Sequence, residues 1–338
     1  MSLKISAPIV AMIACYGEAL VDLFVSPYSQ SSLRTDSQAC LGGSVFNFCL
    51  GARRQGLQAV YLNALSSDTF GRQFAHMLQK EGVLLDAKAC SEPTSIAVIE
   101  LDAQGKATYA FHRKETADTA RSATEIIVNW RSDVKVLHTG CLMLAPDAWG
   151  QTQQVMAHAA RMGCVISVDA NLRPAVVADA AAYAACVREA CAIAHILKFS
   201  DDDLLALGAI PLSIGADDEP LIAAARSFFS NSSKAQLIAL TLGARGAWLL
   251  TREHQMFQAA PVGITAQDTV GAGDSFGAAL LAHLNSQKLL HPDALQAQLT
   301  AQAMQSALEH AVMAATICVQ RVGCDPATWA ETRAGDMK

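Results

Sequence analysis

Short apolar segments alternate with longer segments of helical periodicity along most of this chain. The apolar segments end near Gly, Asp, Asn or Ser, as buried strands do, and they predict strands at Ile9–Tyr16, Ala59–Leu65, Val134–Thr139, Cys164–Val168, His195–Phe199 and Leu237–Thr241. Apolar residues spaced three and four apart predict helices at Val45–Arg54, Phe70–Lys80, Gln151–Arg161, Ala175–Ala192 and Leu221–Phe229. This alternation predicts an α/β fold, a doubly wound and mostly parallel sheet flanked by helices.

Two regions interrupt the alternation, at about residues 20–40 and 95–113. In the second region, Ile96–Leu101 and Thr108–His112 flank a polar segment and predict a β-hairpin. Such an insertion is either a lid over a site or a hairpin that faces solvent. Because no repeat or Pro-rich linker divides residues 1–338, we expect a single domain with a small β-sheet lid inserted at these two places.

Composition and charge exclude several classes of function. The net charge of −6 and the lack of a Lys/Arg-rich run argue against a nucleic-acid partner or an anionic membrane. No apolar segment approaches the roughly 20 residues that span a bilayer, and the first ten residues carry no signal-peptide pattern, so a cytoplasmic location is expected. Ten scattered cysteines without a Cys-x-x-Cys pair predict neither a disulfide framework nor a structural zinc site.

The segment 267–277 is the most informative for chemistry. Gly271, Ala272 and Gly273 precede a helical pattern, so they form a turn at a helix N-terminus, where free N–H groups bind anions. Asp274 in the first turn is either a plain helix cap or an acid that accepts the proton of an attacking hydroxyl. The segment is neither a P-loop nor a Gly-x-Gly-x-x-Gly fingerprint, because Phe276 occupies the third glycine position.

This segment resembles the Asp-Thr-x-Gly-Ala-Gly-Asp signature of the ribokinase-like (PfkB) sugar kinases. The resemblance implies an ATP-dependent carbohydrate kinase with a ribokinase-like fold. It further implies that Asp274 is the catalytic base and that the amides of Gly271, Ala272 and Gly273 form an anion hole for the transferred phosphoryl group.

Two segments near the N-terminus are similar to sugar-binding segments of the same family. Gly17–Asp22 resembles its opening segment, which implies that Asp22 binds sugar hydroxyls. Gly42, Gly43 and Asn47 match its Gly-Gly-x-x-x-Asn element, which implies that they also face the sugar. Alternatively, the two glycines only begin a helix in which Asn47 is an ordinary residue.

Three downstream segments resemble the family's nucleotide- and phosphate-binding parts, and the likeness extends from residue 9 to about residue 325. The segment 169–174 resembles Asp-x-Asn-Leu-Arg, the segment 198–203 resembles Asn/Ser-x-x-Glu with Asp in place of Glu, and the segment 241–246 resembles the turn beside the nucleotide. The residues implied are Arg173, Lys198, Ser200, Asp203, Thr241, Gly243 and Gly246. The acidic run at 201–203 is otherwise a favourable helix N-terminus, and the two glycines are otherwise hairpin-turn residues.

The resemblance also implies ligands and assembly. ATP and Mg²⁺ are expected, the metal ligands stay unassigned, and a monovalent cation such as K⁺ is expected near Asp268. A homodimer through the lid is implied as well. Residues 111–118, which include Arg113 as a candidate sugar ligand, resemble fructokinases and favour fructose, phosphorylated at O6. 2-Keto-3-deoxygluconate is the alternative substrate, and a non-catalytic sugar-binding module or an NAD-dependent enzyme are further alternatives.

Overall fold

The computed structural model describes residues 11–26, 35–101, 107–211, 217–230 and 233–335. Within them the strands are β1 (Met12–Tyr16), β2 (Leu20–Val25), β3 (Ser37–Gly42), β4 (Gln58–Tyr61), β5 (Leu84–Leu85), β6 (Ser95–Leu101), β7 (Ala107–His112), β8 (Val134–Gly140), β9 (Val165–Asp169), β10 (Ile196–Ser200), β11 (Leu237–Thr241), β12 (Ala247–Leu250) and β13 (Gln255–Gln258). The α-helices are α1 (Ser44–Arg54), α2 (Thr69–Lys80), α3 (Ala117–Ala120), α4 (Ala123–Val128), α5 (Pro146–Arg161), α6 (Ala180–Ile193), α7 (Asp201–Ala206), α8 (Glu219–Arg226), α9 (Ala272–Ser286), α10 (Pro292–Gln298), α11 (Ala301–Val319) and α12 (Trp329–Gly335).

The larger sheet has nine strands in the order β13-β12-β11-β10-β9-β8-β1-β4-β5. The seven strands from β11 to β5 are parallel, and β12 and β13 extend the sheet as an antiparallel ribbon. The mostly parallel sheet predicted from the sequence is therefore confirmed. The ribbon was not predicted, because the apolar strand Ala247–Leu250 is only four residues long and Gln255–Gln258 contains only two apolar residues.

Helices cover both faces of this sheet, as parallel strands require. Alternate residues of β1 divide between the two apolar cores: Met12 and Ala14 belong to one, and Ile13 and Cys15 to the other. Helices α5 and α6 contribute to the first core, and α1, α9 and α11 contribute to the second. Within the described residues, no helix is long and apolar enough to cross a bilayer.

The predicted helices are present with different ends. The helix expected at Ala175–Ala192 starts late, because a 3₁₀ turn at Pro174–Val176 comes first and Asp179 caps α6 by accepting the Ala182 N–H. Helix α5 begins five residues before its apolar pattern, with a proline in its first turn.

The smaller sheet has the order β3-β2-β6-β7. β6 and β7 form the predicted antiparallel hairpin, although its turn at 102–106 lies outside the described residues. The other interrupting region supplies β2 and β3, and β2 lies parallel to β6, so the two regions join in one sheet. The sequence analysis assigned no structure to residues 20–40, because pairing between strands more than 70 residues apart in the chain leaves no local pattern.

The parallel strands end at one edge of the larger sheet. Residues that follow β1, β9 and β10 therefore meet there, together with the N-termini of α1 and α9. In doubly wound folds ligands bind at this edge.

Candidate active site

The glycine-rich turn has the geometry expected of an anion site. Gly271 precedes α9 with a φ of 75°, and a Cβ there would lie 2.1 Å from the Cys324 Sγ, so glycine is required. Gly273 lies against Lys198, whose Nζ is 3.0 Å from the place a Cβ would occupy. The Ala272 N–H points back to the Thr269 carbonyl at 3.3 Å. The Ala272 N–H is therefore occupied, and what the turn offers an anion is the N-terminus of α9 with the Lys198 ammonium group beside Gly273.

Asp274 is buried and is held by the first turn of α1. The Ser44 hydroxyl donates to Oδ1 at 2.7 Å, and the Asn47 amide donates to Oδ2 at 3.0 Å. Burial raises the pKa of Asp274, while these two hydrogen bonds and the charges of Lys198 and Arg173 oppose the rise. A plain cap would bind the N–H groups of its own helix, and the contacts of Asp274 are instead with another helix, which favours the catalytic interpretation.

A buried ion pair lies beside the glycine turn. Lys198 Nζ contacts both carboxylate oxygens of Asp169, at 3.0 and 2.9 Å. Burial raises the pKa of Asp169 to about 6 although Lys198 lowers it, and the neighbouring carboxylates raise the pKa of Lys198 against the effect of burial. The exposed Arg173 is held by a bond of 3.0 Å to the Leu172 carbonyl. The charges of both Lys198 and Arg173 thus act on Asp274.

Asp22 reaches the site from the smaller sheet. A Cβ on Gly42 would lie 2.5 Å from Asp22 Oδ2, so the glycine leaves room for the carboxylate. Gly43 has a φ of 106°, and a Cβ there would lie 2.6 Å from the Glu18 carbonyl oxygen. Burial raises the pKa of Asp22 to about 6, against the effect of Arg173. The two glycines therefore have a steric role at this corner as well as beginning α1.

Glu18 is a buried carboxyl group at the same corner. Its Oε1 accepts the Ser44 N–H at 2.9 Å, while its Oε2 has no partner in the described part of the chain. Burial raises the pKa of Glu18 to about 7. Sequence reasoning included Glu18 in a segment but did not single it out, since nothing in the pattern indicates that it is fully buried.

Arg113 contacts two carboxylates that are not among the site residues described above. Its Nε donates to Asp118 at 2.8 Å and its Nη1 to Asp147 at 3.1 Å, while its Nη2 is buried without a partner among the described residues. Asp118 also accepts hydrogen bonds from Thr116 and Ser95. Arg113 thus has two carboxylate neighbours, and its role as a sugar ligand stays a prediction.

Ser200 and Asp203 form a reciprocal helix cap at the start of α7. Asp203 Oδ2 accepts the Ser200 N–H at 2.7 Å, and Oδ1 accepts the Leu172 N–H at 2.7 Å. These contacts are the ones expected if the acidic run serves the helix N-terminus. The phosphate-organising role implied for Ser200 and Asp203 therefore has no direct support in their contacts, and it stays a prediction.

The remaining predicted nucleotide residues lie at the end of β11. The Thr241 hydroxyl donates to the Phe199 carbonyl at 3.3 Å. Gly243 and Gly246 have φ values of 56° and 113° in the turn between β11 and β12. A Cβ on Gly246 would lie 2.1 Å from the Gln258 carbonyl, so the turn requires glycine in any case. Nucleotide binding by these residues stays a prediction.

Asp268 links the glycine-rich segment to the loop after α11. Its Oδ1 accepts the Val270 N–H at 3.0 Å and its Oδ2 accepts the Gly323 N–H at 2.9 Å. Each oxygen keeps a free lone pair, so a cation could still bind.

Ser44 and Asn171 are two further site residues that were not singled out from the sequence. The Asn171 amide donates to the Ser44 hydroxyl at 2.9 Å, next to the bond from Ser44 to Asp274. Both lie inside segments that carried the family resemblance. A polar residue at a helix start is usually explained by capping, so the sequence offers no signal for a bond to a carboxylate 230 residues away.

Comparison with known protein families gives a match over most of the chain. The model of the pfkB family of carbohydrate kinases matches residues 10–331. The chain belongs to this family.

Relatives and solved structures extend the comparison. A fructokinase from Rhizobium leguminosarum bv. trifolii is 30% identical over 82% of the chain and 81% of the relative. Fructokinase with bound ATP from Xylella fastidiosa superposes with a TM-score of 0.80 at 23% identity, covering 96% of this chain and 98% of that one. Fructokinase from Vibrio cholerae O395, with fructose, ADP and calcium ion bound, gives 0.71 at 24% identity, covering 94% and 95%. The ribokinase-like fold is confirmed, and the protein is a pfkB carbohydrate kinase.

Proposed function

We propose that this pfkB kinase transfers the γ-phosphoryl group of ATP to the 6-hydroxyl of fructose, with Asp274 as the base. The observation that carries the proposal is the position of Asp274. Its carboxylate is buried, oriented by Ser44 and Asn47, and one residue from the anion-binding turn at Gly273. A hydroxyl bound between them would lose its proton to the carboxylate while its oxygen bonds to the γ-phosphorus, and the bond from that phosphorus to the bridging oxygen would break to release ADP.

The charge that develops during transfer has several partners here. The N-terminus of α9 would face the transferred phosphoryl group at Gly273, where the Lys198 ammonium group also lies. Arg173 is exposed at the same edge of the sheet and is free to contact a phosphate. Phosphoryl transfer depends mostly on position and charge neutralisation, which this arrangement supplies.

The sugar would bind between the two sheets. Asp22 projects from the smaller sheet, and Asn47 Oδ1 is buried without a partner in the described residues, so it is available to a sugar hydroxyl. The small sheet would close over the sugar and exclude water from the phosphoryl group.

A homodimer through this sheet and a cytoplasmic location remain proposals, which light scattering and cell fractionation would test.

Magnesium fits the donors that the site offers. The described residues include no group of three or more His, Cys, Asp or Glu side chains able to hold a metal. Mg²⁺ in kinases is bound largely by phosphate oxygens and water, with one or two carboxylates. When bound, it would neutralise phosphate charge, and Asp203 and Asp169, whose charges both act on Lys198, would be the carboxylates to hold it. A K⁺ requirement through Asp268 is tested by omitting monovalent cations from the assay.

Fructose is favoured over 2-keto-3-deoxygluconate by the surroundings of Arg113. The carboxylate of ketodeoxygluconate needs an uncompensated cation, and Arg113 already pairs with Asp118 and Asp147. A neutral ketohexose needs no such partner.

The test is ATP-dependent ADP formation with fructose, ketodeoxygluconate, ribose, glucose and tagatose. Turnover of ketodeoxygluconate alone would refute fructose as the substrate but would be consistent with the phosphoryl-transfer mechanism. No turnover with any sugar would favour a non-catalytic sugar-binding module.

A further inference from the structure

Three side chains from separate parts of the chain form a directed series of hydrogen bonds. Asn171 Nδ2 lies 2.9 Å from Ser44 Oγ, and Ser44 Oγ lies 2.7 Å from Asp274 Oδ1. An amide NH₂ can only donate, so Ser44 must accept from Asn171 and direct its single hydroxyl hydrogen at Asp274. If the Asn171 amide were flipped, its carbonyl oxygen and the Asp274 carboxylate would both need the single hydrogen of the Ser44 hydroxyl.

The backbone around Ser44 and Asn171 is fixed independently of this series. Ser44 is buried at the first position of α1, and its N–H donates to Glu18 Oε1 at 2.9 Å. Asn171 has a φ of 37°, a left-handed conformation that asparagine tolerates better than most residues. It follows Ala170, whose N–H donates to the Lys198 carbonyl at 3.0 Å. The two side chains thus meet because β9 and α1 are held in place.

We propose that Ser44 and Asn171 are positioning residues: Asn171 orients the Ser44 hydroxyl, and Ser44 holds the Asp274 carboxylate ionised and in one rotamer. The inference rests on the proposed function, because it assumes that Asp274 accepts the proton of the sugar. It deepens that function by assigning two residues that act through the base without touching the reacting atoms.

The electrostatic consequence has a definite sign. Burial raises the pKa of Asp274, and the Ser44 hydroxyl is the first of the contacts that oppose the rise. Removing it raises the pKa further, so less of the base is ionised near neutral pH. The other charged or titratable groups that face Asp274 are Lys198, Arg173, Asp169, Cys141, Cys318 and Cys324. None of them contacts the Ser44 hydroxyl, so their effect on the pKa of Asp274 should be the same in the wild type and in the Ser44 variant.

The first experiment measures kcat for fructose against pH in the full-length protein. We expect Ser44→Ala to move the acidic limb upward by about one pH unit, a tenfold change, since one hydrogen bond to a charged group is lost. Asn171→Ala should move it in the same direction by less, because the hydroxyl stays but is free to rotate. The double variant should match Ser44→Ala, because Asn171 acts only through Ser44.

The matched control is Ser275→Ala. Ser275 is buried beside Asp274 on α9, and its hydroxyl is directed at the Ala314 carbonyl at 3.4 Å and not at the carboxylate. This variant should keep the acidic limb of the kcat–pH profile where it lies in the wild type. An unshifted limb in Ser44→Ala, or additive shifts in the double variant, would overturn the proposal.

A spectroscopic titration separates this inference from the proposed function. The infrared C=O band of a protonated carboxyl group, with Asp274→Asn as the subtraction, reports the pKa of Asp274 without any turnover. Full activity in Asp274→Asn would refute the base itself. Loss of activity there, with an unchanged band titration in Ser44→Ala and Asn171→Ala, would refute only the positioning role. Asn171 is only partly buried, and glycine adopts a φ of 37° without strain, so Asn171→Gly remains a test if Ser44→Ala does not fold.

Discussion

Replacing Asp274 by asparagine removes the proposed base with little change in shape. The new amide would keep the Ser44 hydrogen bond through its carbonyl oxygen. Its NH₂ group would meet the Asn47 NH₂ group, but a flip of Asn47 would present Oδ1, which is buried and unpartnered among the described residues. Both hydrogen bonds can therefore be satisfied, and the variant should fold.

The expected effect on catalysis is large. General base catalysis contributes about 10²- to 10⁴-fold, or about 2.7 to 5.4 kcal/mol in the activation free energy. We therefore expect kcat of Asp274→Asn to fall by at least about 100-fold, with little change in KM for either substrate. ADP release coupled to NADH oxidation measures both constants.

The same substitution should not cost stability. Burial raises the pKa of Asp274, so the folded state disfavours the ionised carboxylate relative to the unfolded chain at neutral pH. A neutral amide removes that penalty, and the Tm of Asp274→Asn should equal or exceed that of the wild type. A kcat within tenfold of the wild type would refute Asp274 as the base. A clear fall in Tm would refute the account of its hydrogen bonds.

Three further predictions concern the surrounding residues. Gly271→Ala should abolish turnover and destabilise the fold by about 1–3 kcal/mol in urea unfolding, because the φ of 75° and the contact with Cys324 both oppose a side chain. Lys198→Met should cost about 3–5 kcal/mol at pH 7, because it leaves the Asp169 carboxylate buried and unpaired. The pKa of Asp169 is already raised to about 6, so this deficit should shrink as the pH falls and Asp169 is protonated. The KM for fructose should rise as the pH falls through about 6, the raised pKa of Asp22, since the neutral acid accepts fewer hydroxyl hydrogen bonds.

Each of these has a control in the same chain. Gly150→Ala in α5 introduces a Cβ into open space and should leave both stability and turnover intact. A Lys198→Met deficit that is constant with pH would argue against Asp169 as its cause. A KM that still rises near pH 6 in Asp22→Asn would assign that titration to another group.

The sequence predicted the architecture and the conformation of the glycine-rich turn, because both depend on local patterns. Apolar segments with strand and helix periodicity predicted the central parallel strands, and the predicted hairpin is β6 and β7. The glycine-rich segment before α9 indicated an anion site, and Gly271 does have the left-handed conformation that only glycine adopts easily. These features depend on residues close together in the chain.

The tertiary structure alone decided which side chains meet. Ser44, Asn171 and Asp274 are far apart in the chain and come together because α1, β9 and α9 share one edge of the sheet. Burial, which raises the pKa values of Asp274 and Glu18, is likewise a property of the packed molecule. Local sequence specifies periodicity and turn geometry, whereas hydrogen-bond partners and desolvation depend on long-range packing, and these are the properties that turn a motif into a site.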